Sequence, residues 1–286
     1  MRPLLTLAGV TIVEASRRRL LLALALLTLA VIGLSAWGFS RLPATTVGNT
    51  PISPSEVRAA ASQLTIFMAF MFSGVLALGS VLVASPAISS DIESGIMLAI
   101  LPRPIRRGDV LLGKWLGLLA LVLAYAALSC ALELAVIWAT TGYVPPRPLH
   151  AIAFIAGEGL VLMTLTLLLS TRMAPMTSGI IALVGFFGAW MGGIAMGFGQ
   201  AFGNSTITNI GLGSRLLLPT DGLWRGAVYH LEPDFILNAL RFAGRGAAGS
   251  PFSATVPPDP AFQLYAFAWV VMLLAIGCLS FARRDL

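Results

Sequence analysis

Six long apolar runs dominate the chain, at residues 20–39, 64–85, 112–141, 151–170, 176–199 and 262–281. None alternates like a half-buried strand, and each has about the 20 residues a helix needs to cross the hydrocarbon of a bilayer. Inside lipid every backbone N–H and C=O must find its partner within the segment, so such runs read as helices. The predicted fold is an all-α polytopic membrane protein with six transmembrane helices, one transmembrane domain over residues 1–286. The first run reads as a span rather than a cleaved signal. Its apolar part is about twice the length of a signal core, and no small-residue cleavage site follows.

The segments between the runs differ in kind. Residues 4–19 mix apolar positions with Glu14, Arg17, Arg18 and Arg19, as an interfacial helix does. The alternative is a short basic leader that only sets orientation. Residues 40–62 form an outer loop with Pro43, Pro51 and Pro54, and residues 142–150 a short one stiffened by Pro145, Pro146 and Pro148. Residues 171–175 are a tight inner turn. The extracytoplasmic loop 200–261 is the largest part outside the runs. Its apolar stretches at 210–218 and 235–242 predict short helices packed on the outer face of the bundle.

Composition narrows the classes of function. The chain is 57% hydrophobic and 10% charged, against about 45–50% and 25% for soluble domains. That excludes a soluble enzyme, a nucleic-acid-binding domain and a disordered protein. The net charge of +6 is set almost wholly by arginine, Lys114 being the lone lysine. With a cytoplasmic N-terminus, the inner segments hold Arg2, Arg17, Arg18, Arg19, Arg103, Arg106, Arg107, Lys114, Arg172, Arg283 and Arg284. The outer segments hold fewer, mostly in the long loop. The bias places both termini in the cytoplasm. Cys130 and Cys278 lie in apolar runs with no metal spacing, and His150 and His230 are solitary and read as surface residues. Nothing resembles a nucleophile–base set, so the chain is predicted not to be an enzyme.

The inner stretch 86–111 carries the most information. Ser89 or Ser90 can cap a helix through Asp91 and Glu93, whose acidic side chains suit its first turn. Ile92, Ile96, Met97 and Ile100 share one face, Pro102 and Pro104 stop the helix, and Arg103, Arg106 and Arg107 follow. Such a helix either docks into a groove of another protein or lies on lipid. Farther on, Gly108 to Lys114 matches the GxxxxGK of a phosphate-binding loop. Trp115 stands where that loop needs Ser or Thr for magnesium, and the residues feed a membrane helix instead of following a strand.

The order Glu93-Ser-Gly-Ile, Leu101-Pro-Arg-Pro-Ile-Arg-Arg and Leu112-Gly-Lys-Trp-Leu-Gly117 resembles the permease subunits of type-2 ABC exporters. It is most similar to the group linked to multicopper-enzyme and nitrous-oxide-reductase maturation. The layout is similar throughout, the residues mainly over 85–117. The resemblance implies that residues 4–19 are the connecting helix and that Asp91–Ile100 is a cytoplasmic coupling helix between spans two and three. Asp91, Ile92, Glu93, Ile96, Met97, Ile100, Arg103 and Arg106 would then meet a separate ABC ATPase subunit. ATP and magnesium would be bound by that partner, with no cofactor in this chain. A second permease copy, most simply identical, would complete the machine in a bacterial or archaeal cytoplasmic membrane.

Polar and small residues inside the spans suggest further sites. Glu133 and Glu158 each lie eight residues from an outer end, at about 12 Å depth. Intramembrane carboxylates mark either a pathway or separately bonded packing groups. Gly188, Gly192, Gly193 and Gly197 give the fifth span GxxxG spacing, which suits packing within the chain or across a dimer. The leading expectation is an ATP-binding-cassette permease working by alternating access. The alternatives are a secondary transporter using Glu133 and Glu158, and a membrane scaffold that moves nothing.

Overall fold

The computed structural model describes residues 2–44, 46–47, 50–51, 53–95, 106–242 and 250–284. Eleven α-helices are found among them: α1 Arg2–Ser16, α2 Arg19–Arg41, α3 Pro54–Ala84, α4 Pro86–Glu93, α5 Arg107–Thr141, α6 Pro148–Ser170, α7 Pro175–Phe202, α8 Ser205–Leu217, α9 Thr220–Leu231, α10 Asp234–Phe242 and α11 Pro260–Ala282. Six are long and apolar enough to span a bilayer, namely α2, α3 (continuing through α4), α5, α6, α7 and α11. The remaining regular structure described is a 3-10 turn at Leu42–Ala44 and a two-residue antiparallel pairing of Thr46–Val47 with Thr50–Pro51.

The spans outrun their apolar runs because local signals set their ends. Helix α3 begins ten residues ahead of the run at 64. Ser53 accepts the Glu56 amide while the Glu56 carboxylate accepts the Ser53 amide, a reciprocal cap, and Pro54 fits the first turn. Helices α6, α7 and α11 likewise open on proline. Helices α5 and α7 stop at Gly142 and Gly203, whose positive φ of 66° and 68° suits glycine.

Helix α6 is the axis of the bundle, with more than half of its most apolar window buried. Phe70 of α3 stacks on Trp190 of α7 at 5.4 Å and meets Trp224 of α9 edge-on at 5.5 Å. Trp115 of α5 donates its indole N–H to Thr164 of α6 at 3.0 Å. Large apolar side chains such as Leu22, Leu26, Trp37, Leu128, Val184 and Phe267 face outward, as a surface bathed in acyl chains requires.

The two ends of the bundle differ. One carries Arg107, Arg172 and Arg284, which act as caps. Arg172 donates to the Ser280 carbonyl at 2.9 Å, Arg107 to the carbonyls of Ala282 and Arg284, and Arg284 to that of Thr171. Cations there stabilise the carbonyl ends of α6 and α11. This basic end also holds α4.

At the opposite end the long 200–261 segment does more than cover the bundle. Helix α8 turns back along α7, with Thr208 against Gly199 and Ser214 against Gly192. Gly192 lies ten residues inside the end of α7, a depth of about 15 Å. After Leu218 and Pro219, α9 climbs back along α6, with Leu223 beside Gly157 and Phe154 beside Gly226. Residues 205–231 therefore fold as a re-entrant helical hairpin.

Candidate functional site

Helix α4 starts four residues earlier than the sequence suggested and ends at Glu93, since Pro86 takes the first helical position and Ser85 the cap. Gly95 then adopts a φ of 74°, open to glycine. Of the residues expected to meet a partner, Asp91, Ile92 and Glu93 lie on α4, and exposed Arg106 caps the start of α5. Ile96, Met97, Ile100 and Arg103 lie outside the described residues.

The helix is not an apolar face waiting for a partner. Ala87 and Ile88 are buried against the bundle, and Ile92 packs on the same core. Asp91 turns inward too, to an ion pair with the Lys114 ammonium, which also donates to the Ala87 carbonyl. Lys114 is 5% exposed and Asp91 7%. Burying either charge alone would be costly, and paired they lock α4 onto α5. Glu93 and Ser94 are the exposed polar residues at the end of α4.

The glycines on either side of Lys114 have a packing role. A Cβ on Gly113 would fall 2.7 Å from the Leu7 side chain, and one on Gly117 2.6 Å from the Ala8 carbonyl oxygen. Helix α1 lies in that groove. The apparent phosphate-loop motif thus consists of a small-residue groove for α1 and a lysine tether for α4. Gly113 and Gly117 seat α1 on α5, and Lys114 between them ties α4 to the same helix.

Glu133 and Glu158 are both buried, and each accepts a hydrogen bond from a different helix. Ser35 of α2 donates to Glu133 at 2.7 Å, and Ser73 of α3 to Glu158 at 2.6 Å. One oxygen of Glu133 has no partner among the described residues.

The glycines of α7 divide. Gly192 and Gly193 admit Ser214 and Asp221, so they serve the re-entrant hairpin. Gly188 faces open space, and its carbonyl accepts from Ser214 at 3.3 Å. Gly197 is buried.

With this geometry in view, a family comparison is decisive. The model of the ABC-2 family transporter proteins matches residues 14–286. The chain belongs to the ABC-2 family. No curated protein matches it. As an ABC-2 protein it is a membrane subunit of an ABC transporter and not a catalytic enzyme. Permeases of this family generally pair with an ABC ATPase subunit. Among the described residues of this ABC-2 protein, no cluster of three or more His, Cys, Asp or Glu is placed to hold a metal ion.

Sequence reasoning missed one group at the opposite end. His150 and His230 read as solitary, yet their rings lie 5.0 Å apart, with Phe154 and Tyr229 against His230. The Tyr143 hydroxyl donates to the Leu231 carbonyl at 3.0 Å, and Arg147 lies over the Tyr229 ring. Burial, then His150 and Arg147, push the His230 pKa down. Glu232 has no exposed surface, and burial pushes its carboxyl up to about 7. The sequence offered only that both histidines fall outside the six apolar runs, in segments expected on the same side of the membrane.

Proposed function

We propose that this chain is the permease subunit of an ABC exporter in a bacterial or archaeal cytoplasmic membrane, with both termini cytoplasmic. It moves substrate by alternating access, driven by a separate ATPase that binds ATP and magnesium. Two permease copies and two ATPases form the working unit. The finer kinship, to the multicopper-enzyme maturation group, rests on the residues from Glu93 to Gly117.

The observation that carries this reading is the seating of α4. It stands at the basic end, joined to α3 at Ser85-Pro86 and tethered to α5 through Asp91 and Lys114. Force applied at Glu93 and the residues after it passes into two spans at once. A helix continuous with α3 and tied to α5 by an ion pair works as a lever between two spans, whereas a lone interfacial helix does not. Glu133 and Glu158 support the same view, because each is engaged by a serine from a neighbouring helix and so ties spans together.

The test is co-purification with a candidate partner ABC ATPase, using wild type and a variant with Ile92→Asp, Glu93→Lys and Ile96→Asp. The expected outcome is a stable complex for wild type and its loss for a variant that still folds. Retention of the ATPase and its activity by the folded variant would remove α4 from the coupling role.

A further inference from the structure

A cavity of about 410 Å³ opens at the non-basic end, between the re-entrant hairpin, the end of α7 and the start of α11. Arg215 and Arg225 stand on one wall and Asp259 on another, with Leu212, Leu216 and Phe262 between. Behind the arginines lies Asp221, 2% exposed, in the space that Gly193 leaves by having no side chain.

The hydrogen bonds define what the wall offers. Asp221 Oδ2 accepts from Arg215 Nε at 3.1 Å and Nη2 at 2.6 Å, and from Arg225 Nε at 3.2 Å. Arg225 Nη2 donates to the Gly193 carbonyl at 2.9 Å. Both Nη1 groups remain without a hydrogen-bond partner among the described residues. Two guanidinium charges thus meet one buried carboxylate, and one positive charge with free donors is left over. A planar donor fork in a partly dry wall suits a phosphate oxygen. The balancing charge is Asp259, exposed at the rim, where it also accepts the Ala261 amide at 2.8 Å. Among the described residues the cavity therefore has a positive wall, a negative rim and no net charge.

Its position adds a second constraint. Leu212 and Leu216 line the cavity and are also 42% and 47% exposed on α8, beside exposed apolar Ile210 and Leu217. A ligand seated here can lay hydrocarbon along α8 without leaving the bilayer.

We propose that this cavity binds the head group of an amine-bearing phospholipid, with the phosphodiester on Arg215 and Arg225 and the ammonium toward Asp259. The acyl chains run along Leu212 and Leu216. The site is independent of the ATPase reading and stands whether or not the bound lipid is cargo.

The test uses the delipidated full-length chain in detergent, titrated with dioleoylphosphatidylethanolamine and read by native mass spectrometry. Parallel titrations use dioleoylglycerol, which lacks the head group, and O-phosphoethanolamine, which lacks the chains. Arg225→Gln leaves Arg215 on Asp221, Asp259→Ser keeps a capping residue for α11, and Val256→Trp crowds the exposed mouth without touching a charge. Phosphatidylethanolamine should bind best, and each variant should weaken it, Arg225→Gln by about tenfold. Should Arg225→Gln impair folding, Asp259→Ser and Val256→Trp decide. Equal binding of dioleoylglycerol, tighter binding of O-phosphoethanolamine than of the lipid, or unchanged affinity in all folded variants would overturn the proposal.

Discussion

At the scale of residues, buried charge is the most consequential feature. Removing Lys114 alone strands Asp91 in a nearly dry site. Lys114→Met should cost about 3–5 kcal/mol, and most of that should return in the double variant with Asp91→Asn. Denaturation in detergent, followed by tryptophan fluorescence, would show a double variant more stable than Lys114→Met. A second prediction concerns the opposite end. Glu232 is raised from 4.5 to about 7, so folding favours its neutral form, and its contribution to stability is full below about 4.5, falls as pH rises to about 7 and is lost above that. His230 is lowered, so it acts in the other direction, losing stability as pH falls below its ordinary value. Glu232→Gln should remove the fall in melting temperature that Glu232 causes between about pH 4.5 and 7, leaving the loss on acidification from His230 in place. An unchanged slope over that range would count against Glu232 as its source. Neither feature could be read from the chain. Lys114 and Asp91 are 23 positions apart, His150 and His230 eighty, and the arrangement of spans decides who meets whom.

Among elements, the spans were legible and the hairpin was not, for a physical reason. A bilayer imposes a length and an apolar composition on any helix crossing it, and both are visible in one sequence. Helices α8 and α9 are short and mixed in character, and their depth is set by where Gly192, Gly193 and Gly199 allow close approach. The same glycines give a sharp contrast. A Cβ on Gly193 would sit 1.9 Å from Asp221 Oδ1, while one on Gly188 meets nothing within 4 Å. Gly193→Ala should therefore destabilise the protein by about 1–3 kcal/mol or more, while Gly188→Ala should be neutral or gain up to about 1 kcal/mol of helix propensity. Thermal melts of the two variants would separate them, and equal melts would contradict the packing described. At the basic end, Gly117→Val should lift α1 from α5. Ala8, 8% exposed in the wild-type protein, would then react with maleimide several-fold faster when replaced by cysteine.

For the whole molecule, orientation is the prediction that matters. The basic residues that cap α6 and α11 share an end with α4, so one labelling experiment reports on all of them. In a background with Cys130 and Cys278 replaced by Ala, Glu93→Cys should resist an impermeant maleimide added to intact cells. Leu149→Cys, at a position 77% exposed on the opposite end, should react. The reverse pattern would invert the molecule and remove the basis for an ATPase beneath α4. The stretch between α3 and α5 was only half legible. Its place in the chain and its proline and arginine punctuation could be read. The inward turn of Asp91 could not, because helical periodicity assigns a residue to a face but does not say what that face touches.

The burial of Lys114 has a practical consequence. Apart from the α-amino group at the start of the chain, this protein carries a single primary amine, and that amine is shielded while α4 stays on α5. An amine-reactive probe is therefore a one-site clock. Its rate of incorporation at Lys114 measures how often α4 comes away from α5, with no engineered label and no knowledge of the cargo.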